Sequence, residues 1–465
     1  MGSKNIYLTN FFTFFDGLAM GMWNYAILGP YLFKLCGDNK HAGYAEGIQG
    51  TAQALASIPA SILADRYRRD IVLRWSGGIG ALGIALTIVA LLQPYGHNWY
   101  ENFLMLCVGM AVFGVYMGMW SPPLYAIYAD SIPSGQRSGY ETWRYVLSIG
   151  SLASGPVSNM VLFLILGNEW GIKQMTIIFM IGMALHFISI ASLFFFSDDD
   201  TLGDESDALL DDSTQEAAEA EIIKARLLSA ETIRAKGCFS WLHVTHIPYI
   251  VAISDVTFGL ASGMTIKFFP IYFADVLQLS PILVNFVFVL DPVVEVLLSL
   301  TGQKISLQYG RVEVLVCFKI VGIALLWVMA TFDSLWIEHP YWLISIYIIR
   351  SALINCVVPL ARSILMDYCP PNQRAKWGAL ESLSAFGWSG SAVLGGILVD
   401  SYGFDIAFHA TATVQLIAWS PLLLLLPLVA REEHAEARRS LVDGAVEEKG
   451  LLMPGLRNEE RRYSS

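Results

Sequence analysis

Two acidic residues four positions apart in an apolar stretch are the strongest chemical signal in this chain. Asp291 and Glu295 share one face of a helix, and the segment 281–303 around them is long and apolar enough to cross a bilayer. Carboxylates one turn apart in a medium of low dielectric cannot both ionise cheaply. The pair therefore suits the uptake and release of a proton, as proton-coupled transport requires. A static network that braces the helices is the structural alternative.

Other polar residues also lie inside apolar segments, where an ionisable group costs about 3 kcal/mol or more. Arg350 is predicted to be a counter-ion for the acids or the group that binds an anionic solute. Gln49 and Gln53 precede the two acids by 242 residues, so the same face is polar twice and is expected to line a cavity. The candidate residues for solute binding or proton coupling are Asp16, Asn24, Gln49, Gln53, Asp291, Glu295 and Arg350.

The chain repeats itself at about half its length. Pro122, Asp130, Pro133, Gln136 and Arg137 recur 237 residues later (359 − 122 = 237) as Pro359, Asp367, Pro370, Gln373 and Arg374. The glycine-rich run 17–22 returns as 259–264, with an offset of 242 residues. Such a repeat within apolar segments indicates a duplicated membrane bundle of the kind that transports solutes.

Composition supports a membrane protein, because 55% of the residues are hydrophobic and only 15% are charged, where a soluble domain carries roughly a quarter. The mean hydropathy is +0.52. The predicted fold is all-α, with twelve transmembrane helices, numbered here as spans 1 to 12. Their predicted ranges are 7–33, 43–64, 71–94, 103–129, 139–166, 174–196, 247–275, 281–303, 313–334, 341–366, 377–399 and 406–430.

Four regions follow from this pattern: a six-helix bundle over 1–196, a polar linker over 197–245, a second bundle over 246–430 and a tail over 431–465. The linker begins as an acidic segment predicted to be disordered and continues as an amphipathic helix that can lie on the membrane. The tail is likewise predicted to be disordered. Lys and Arg concentrate in the even-numbered connections, so both termini and the linker are predicted to be cytosolic.

Several function classes are excluded by the sequence. It has no metal-ligand spacing, no phosphate-binding Walker loop and no basic patch for nucleic acid, so we expect no cofactor, metal or enzymatic activity. The six cysteines are scattered and indicate no disulfide framework. Two acidic dileucine patterns, at Glu205 and Glu447, resemble sorting signals. They leave the plasma membrane and an endolysosomal or vacuolar membrane as alternatives.

The loop between spans 2 and 3 resembles the signature of the major facilitator superfamily, G-x-L-A-D-R-x-G-R. Segment 61–69 reads SILADRYRR, and its second copy at 303–311 reads QKISLQYGR. Ser61 and Arg68 replace the glycines of the first copy, and Leu307 replaces the acid of the second. Gly155-Pro156 resembles the glycine–proline motif of the family's antiporters but lacks the glycines that follow it there. The resemblance covers the whole membrane part and implies two pseudo-symmetric six-helix bundles that work by alternating access.

The resemblance also implies a cytosolic gate. Asp65 is expected at the N-terminus of span 11, near Lys376, where the helix dipole favours a carboxylate, while Arg66 and Arg69 add hydrogen bonds between the halves. The alternative is that these cations only set the topology. The pairs Asp130/Arg137 and Asp367/Arg374 are predicted mainly to fix the tight turns between spans. The gate and loop residues are Asp65, Arg66, Arg69, Asp130, Arg137, Gly310, Arg311, Asp367 and Arg374.

The sequence thus predicts a secondary carrier that moves a small solute as a monomer in the lipid bilayer, and the spacing of its acids indicates coupling to protons. The alternative is a transport-inactive relative that serves as a membrane sensor or as a scaffold for protein partners. The acidic linker and tail favour that alternative, whereas the buried charges favour the carrier.

Overall fold

The computed structural model describes residues 4–93, 98–132, 137–202, 244–368, 387–426 and 429. Within these ranges a few helical side chains, including those of Asp65, Arg137 and Asp367, lie outside the description. All regular secondary structure in the described ranges is helical, as the sequence predicts. The predicted helix of the linker, the start of span 11 and the tail fall outside the described residues.

The N-terminal half contains spans 1 to 6. Span 1 comprises Lys4–Met20, a π-helical turn Gly21–Tyr25 and Leu28–Cys36. The next five spans are Asn39–Arg66, Arg69–Leu91, Trp99–Asp130, Arg137–Leu166 and Ile172–Ser192, the last continued by a 3₁₀ turn Leu193–Phe195. A second 3₁₀ turn, Asp198–Asp200, follows span 6.

The C-terminal half begins with a 3₁₀ turn Val244–His246. Span 7 comprises Ile247–Ile266, Phe269–Ile271 and a π-helical turn Tyr272–Val276. Spans 8 and 9 are Pro281–Tyr309 and Arg311–Thr331, and a short helix Asp333–Glu338 precedes span 10. Span 10 consists of Pro340–Asn355 and Val358–Asp367, span 11 includes Ala392–Tyr402, and span 12 is Phe404–Trp419 with a 3₁₀ turn Ser420–Leu425.

Nine helices in the described residues are long and apolar enough to cross a membrane. They correspond to spans 3 to 10 and span 12. Spans 1 and 2 are also helical, and span 11 is described only from residue 387. The multi-pass helical architecture is therefore confirmed, while the count of twelve crossings stays a prediction.

Spans 1 and 7 break at equivalent places. Span 1 leaves regular helix at Gly21 and resumes it at Leu28, and span 7 breaks at Lys267 between its first two helices. Tyr25 and Lys267, which are 242 residues apart, occupy matching positions beside the two breaks. The duplication therefore preserves a discontinuity as well as a sequence motif, and discontinuous helices are typical of transporter binding sites.

The repeated glycines allow neighbouring helices to approach closely. A methyl group at Gly21 of span 1 would overlap the carbonyl oxygen of Leu152 in span 5, and Gly155 of the same span packs against the backbone of Gly21. The equivalent Gly263 of span 7 meets the carbonyl of Trp388 in the same way. Small residues at these positions replace side-chain contacts by backbone packing, as is common in membranes.

Proline has different effects in spans 8 and 10. Pro292 lies between the two acids of span 8, yet Pro281–Tyr309 is one continuous helix. Packing around the buried proline overrides its local effect, which membrane helices tolerate. The break falls instead in span 10, at 356–357 just before Pro359. Proline at the second position of the new helix needs no amide hydrogen there.

Aromatic side chains fill the interior of each half. Trp23 is fully buried and stacks on Phe179 at 5.2 Å between ring centroids. In the C-terminal half Phe269 stacks on Phe408 at 5.0 Å and contacts Tyr347 at 4.6 Å. These aromatic rings therefore pack against one another within each half.

We name the two ends of the bundle by their connections. The basic end carries the 2–3, 4–5 and 8–9 connections, and the opposite end carries the 1–2, 5–6 and 7–8 connections. Near the opposite end the two halves are joined by hydrogen bonds, including Trp170 Nε1 to the Leu279 carbonyl at 2.8 Å and Asn159 Nδ2 to Asn285 Oδ1 at 3.0 Å. A cavity of about 440 Å³, lined by both halves, opens beside Trp170.

Candidate functional site

The predicted site residues fall into several separate clusters rather than one. Asp291, Glu295 and Arg350 lie together on spans 8 and 10. Asn24 belongs to a second cluster, at the seam between the halves. Asp16 and the two glutamines of span 2 have their described contacts within the N-terminal half.

Asp291 is the centre of the first cluster. It is 3% exposed, and its Oδ2 accepts a hydrogen bond from Ser351 of span 10 at 3.1 Å. Tyr25 of span 1 reaches the same oxygen at 3.4 Å from the other half of the protein. Oδ1 has no hydrogen-bond partner among the described residues. Asp291 of span 8 therefore contacts spans 10 and 1, and its contact with span 1 joins the two halves.

Glu295 lies one turn further along span 8 and is less buried than Asp291. The Asn355 side chain of span 10 is its hydrogen-bonding neighbour. Tyr145 of span 5 lies close enough to interact electrostatically with both Glu295 and Arg362. The two acids of the predicted pair thus both face residues of the N-terminal half, Tyr25 at one and Tyr145 at the other.

Arg350 of span 10 is buried, with 5% of its surface exposed. Its guanidinium lies over the Phe269 ring at 5.7 Å from the centroid, and it interacts electrostatically with Asp291 and Tyr347. Its Nε has no hydrogen-bond partner in the described part of the chain. Span 10 therefore carries a cation into the interior without providing a direct ion pair for it.

The second cluster joins the halves through charge. Lys267, at the break in span 7, lies 3.1 Å from Glu46 Oε2 of span 2 and donates a 2.8 Å hydrogen bond to Asn24 Oδ1 of span 1. Glu46 is 4% exposed. Closer to the opposite end, Asp400 of span 11 accepts hydrogen bonds at 2.9 Å from the backbone amides of Asn39 and Lys40. It thereby satisfies free amides at the start of span 2.

The second cluster has a pseudo-symmetric counterpart in the first. Adding 242 to Tyr25 and Glu46 gives Lys267 and Phe288. Tyr25 and Phe288 pack ring against ring at 4.8 Å, just as Lys267 pairs with Glu46. The duplicated fold therefore makes the same contact between its halves twice, once through two aromatic rings and once through an ion pair.

The remaining predicted residues of span 1 and span 2 have partners in their own half. Asp16 Oδ1 lies 3.0 Å from His186 Nε2 of span 6. Gln49 donates to the sulfur of Met117 in span 4 at 3.3 Å, and its Oε1 has no partner in the described part of the chain. Gln53 is half-buried, and its backbone lies against Gly118 of the same span as Met117.

The basic end holds a network within the N-terminal half. Arg69 contacts Asp130 at 2.5 Å and Asp198 at 3.1 Å, so spans 3 and 4 are tied to the turn after span 6. Arg68 binds Asp199 at 2.7 Å, and this hydrogen bond lowers the pKa of Asp199. The linker predicted to be disordered therefore begins with an ordered turn that is bound to the signature loop. Residues 203–243 lie outside the described residues.

The second signature loop has a glycine in a backbone conformation that other residues rarely adopt. Gly310 has φ = +106°, a conformation that favours glycine, whereas Arg68 stands at the equivalent position with φ = −57°. Arg311 Nη1 donates to Ser363 of span 10 at 2.7 Å. Its counterpart 242 residues earlier, Arg69, likewise contacts the fourth span of its half. Arg66 is exposed.

The other gate predictions lie outside what the structure describes. The side chains of Asp65, Arg137 and Asp367 are not described, and Arg374 falls in the undescribed range 369–386. Their predicted roles stay predictions. Asp130, which is described, pairs with Arg69.

Two charged residues in the membrane interior, Glu46 and Lys319, were not singled out from the sequence. Glu46 lies near the start of a polar span, and no residue of opposite charge occurs at helical spacing from it. Its contact with Lys267 depends on how the two halves pack together. Lys319 of span 9 lies 3.1 Å from Asp255 of span 7. A search for opposite charges at similar depth in different spans would have paired these residues with their partners.

Comparison with known proteins agrees with this architecture. The family model described as Major Facilitator Superfamily matches residues 9–375 and 251–454. The chain belongs to the major facilitator superfamily, a family of membrane transporters rather than enzymes. The predicted family and fold class are thereby confirmed. No curated protein matches the sequence.

Solved structures show the same fold at low sequence identity. The peptide transporter POT in complex with sulfate is 16% identical, with a TM-score of 0.62 over 92% of this chain and 95% of that one. A bacterial homologue of the iron transporter ferroportin in its inward-facing state is 11% identical, with a TM-score of 0.61 over 90% and 98%. Its outward-facing state is 12% identical and gives 0.54 over 90% and 98%.

Proposed function

We propose that this protein is a secondary carrier that moves a small solute by alternating access and couples that movement to protons at Asp291 and Glu295. The observation that carries the proposal is the contact of Asp291 with Tyr25, because it connects a buried titratable group directly to the seam between the halves. A carrier couples ion binding to its conformation when the group that binds the ion also senses the arrangement of the halves.

The placement of the contacts between the halves supports alternating access. Trp170–Leu279, Asn159–Asn285 and Glu46–Lys267 all lie towards the opposite end. The resemblance to the ferroportin homologue is greater for its inward-facing state than for its outward-facing state, with TM-scores of 0.61 and 0.54. Lys and Arg in the even-numbered connections assign the basic end to the cytosol. Together these observations favour an inward-facing conformation.

The surroundings of Asp291 favour a proton as the coupled ion. Its described hydrogen-bond partners, Ser351 and Tyr25, are hydroxyl groups that bind a carboxylate more strongly than a neutral acid. A neutral Asp291 no longer attracts the two hydroxyl groups as a carboxylate does, since charge-assisted hydrogen bonds are roughly twice as strong as neutral ones. Protonation is therefore expected to weaken one contact across the seam.

The proposal can be tested without knowing the solute. Spin labels at Tyr67 and Tyr309 lie in the two halves at the basic end, and both side chains are exposed. The distance distribution between them, measured in lipid nanodiscs, is expected to change between mildly acidic and mildly alkaline pH. Asp291→Asn should fix the distribution in its acidic form, because asparagine resembles the protonated acid.

The matched control is Asp255→Asn, which removes an acid paired with Lys319 inside the C-terminal half. This variant should keep the pH response. An unchanged pH response in the Asp291→Asn/Glu295→Gln double variant would refute coupling at these acids. A single distance distribution under every condition, with the opposite end also immobile, would contradict alternating access itself.

A further inference from the structure

We infer that the transported solute carries an anionic group, a carboxylate or a phosphate, and that Arg350 binds it. The inference rests on the proposed carrier function, and it specifies the class of solute that the carrier binds at Arg350. The observation behind it is that Arg350 is 5% exposed and that its Nε has no hydrogen-bond partner in the described residues.

A buried guanidinium without an ion pair is a costly arrangement. Arginine stays charged in proteins and presents five N–H donors in a fixed plane. Burial of such a charge is tolerated when it is paired and hydrogen-bonded. Around Arg350 the structure offers the face of Phe269 and electrostatic attraction to Tyr347 and Asp291, and Nε still has no hydrogen-bond partner among the described residues.

A permanent counter-ion role for Arg350 is not supported by this arrangement. Asp291 uses its Oδ2 to accept from Ser351 and Tyr25, while the hydrogen-bonding neighbour of Glu295 is Asn355. Lys319 and Lys267 show what paired interior cations look like here, each at 3.1 Å from a carboxylate. Arg350 differs from both lysines, because it makes no ion pair with a described residue.

Arg350 is next in the chain to a residue whose hydrogen-bond partner contacts the other half. Its chain neighbour Ser351 donates to Asp291, and Tyr25 of the other half reaches that same carboxylate. A solute held between the halves at this depth would meet the guanidinium on the C-terminal side. A carboxylate or phosphate presents two oxygens that match the planar fork of arginine. Asp291 Oδ1, which also has no partner in the described residues, can accept a hydrogen bond from an amine or hydroxyl of the same solute.

The test compares anions with neutral molecules of similar shape by thermal stabilisation of the purified full-length protein. Four probe pairs cover both anion types: succinate with succinamide, glutamate with glutamine, lactate with lactamide, and glycerol 3-phosphate with glycerol. A ligand that binds only the folded state raises the unfolding temperature. We expect at least one anion to stabilise the wild-type protein while its neutral partner does not.

Variants then assign the effect to Arg350. Arg350→Gln should abolish stabilisation by the anion, and Arg350→Lys, which keeps the charge but loses the fork, should weaken apparent affinity roughly tenfold or more. The matched control is Arg362→Gln, which removes an exposed arginine from the same span and should leave binding unchanged. Should Arg350→Gln fail to fold, the lysine variant and the wild-type comparison of anions with neutral partners still decide the result.

Three results would overturn the inference: neutral partners stabilise as well as anions, no anion of the set stabilises, or the Arg350 variants bind the anion normally. Uptake of the stabilising anion into proteoliposomes separates this inference from the carrier proposal. Binding that depends on Arg350 without uptake would support the anion site and contradict transport. Uptake of a neutral or cationic solute that is unaffected by Arg350→Gln would support transport and refute the anion site.

Discussion

Glu46→Gln tests whether the ion pair at the seam holds the opposite end closed. Glu46 and Lys267 belong to different halves, and their charges lie 3.1 Å apart. The substitution removes the negative charge while it preserves the size of the side chain. If the two halves separate at this end during transport, the pair exists in only one of the two conformations. Its loss should then shift the population towards the conformation with the opposite end open.

The magnitude follows from the burial of the two partners. The Glu46 side chain is 5% exposed and that of Lys267 is 25% exposed. Removing one partner of a fully buried pair costs about 3–5 kcal/mol, whereas an exposed pair contributes about 0.2–1 kcal/mol. Because Lys267 is partly exposed and keeps its hydrogen bond to Asn24, we expect Glu46→Gln to cost about 2 kcal/mol, a value between these limits. That free energy corresponds to a shift of roughly 30-fold in the ratio of the two conformations.

Distances between spin labels at both ends measure this ratio. Lys34 and Gln278 are exposed residues of the two halves at the opposite end, and Tyr67 and Tyr309 serve at the basic end. The labels are attached to cysteines introduced at these positions, after replacement of the native cysteines. Glu46→Gln should increase the long-distance fraction at the opposite end and decrease it at the basic end.

Two comparisons make the experiment decisive. Glu169→Gln removes an exposed acid at the same end that forms no ion pair with a described residue, and it should change neither distribution. The reversed pair Glu46→Lys/Lys267→Glu should recover part of the wild-type ratio, although the hydrogen bond from position 267 to Asn24 is lost. The reasoning is refuted if Glu46→Gln leaves the ratio unchanged, or if the reversed pair shifts it as far as the two single variants added together.

Two further predictions concern packing and the linker. Gly21→Ala should destabilise the protein by about 1–3 kcal/mol through overpacking against Leu152, which would lower the unfolding temperature. Gly78→Ala is the control and should leave the unfolding temperature unchanged, because Gly78 has open space around it. Equal effects of the two substitutions would refute the close-packing interpretation. Asp198→Asn should release the turn after span 6 from Arg69, seen as faster amide exchange in residues 198–202; unchanged exchange there would show that the remaining contacts suffice to hold the turn.

The repeat in the sequence predicts much of this structure, because duplicated positions carry duplicated geometry. Gly21 and Gly263 form matching close contacts, and Asp291 and Glu295 share the helix that their spacing indicates. Contacts between spans of different halves could not be predicted in this way. The pairing of Glu46 with Lys267 depends on how two bundles dock, which neither helical periodicity nor composition encodes.

Local rules also fail where packing dominates. Pro292 should weaken a helix by its own chemistry, yet span 8 continues through it. Arg69 and Asp130 were both recognised from separate motifs, but their contact was not expected, because the motifs lie in different loops. Proximity at the end of a bundle is decided by the packing of spans 3 and 4, and a single sequence contains no measure of it.

The pseudo-symmetric contacts between the halves connect two carboxylates to the same movement. The contact that the duplication makes twice uses Tyr25 and Phe288 on one side and Lys267 and Glu46 on the other. Tyr25 also donates to Asp291, so each side of the seam contains one carboxylate whose partner belongs to the opposite half. A movement that separates the halves at this depth removes a partner from both acids in the same step. Because the two contacts break together, weakening either one should lower the free energy of the same separation and so favour the same conformation.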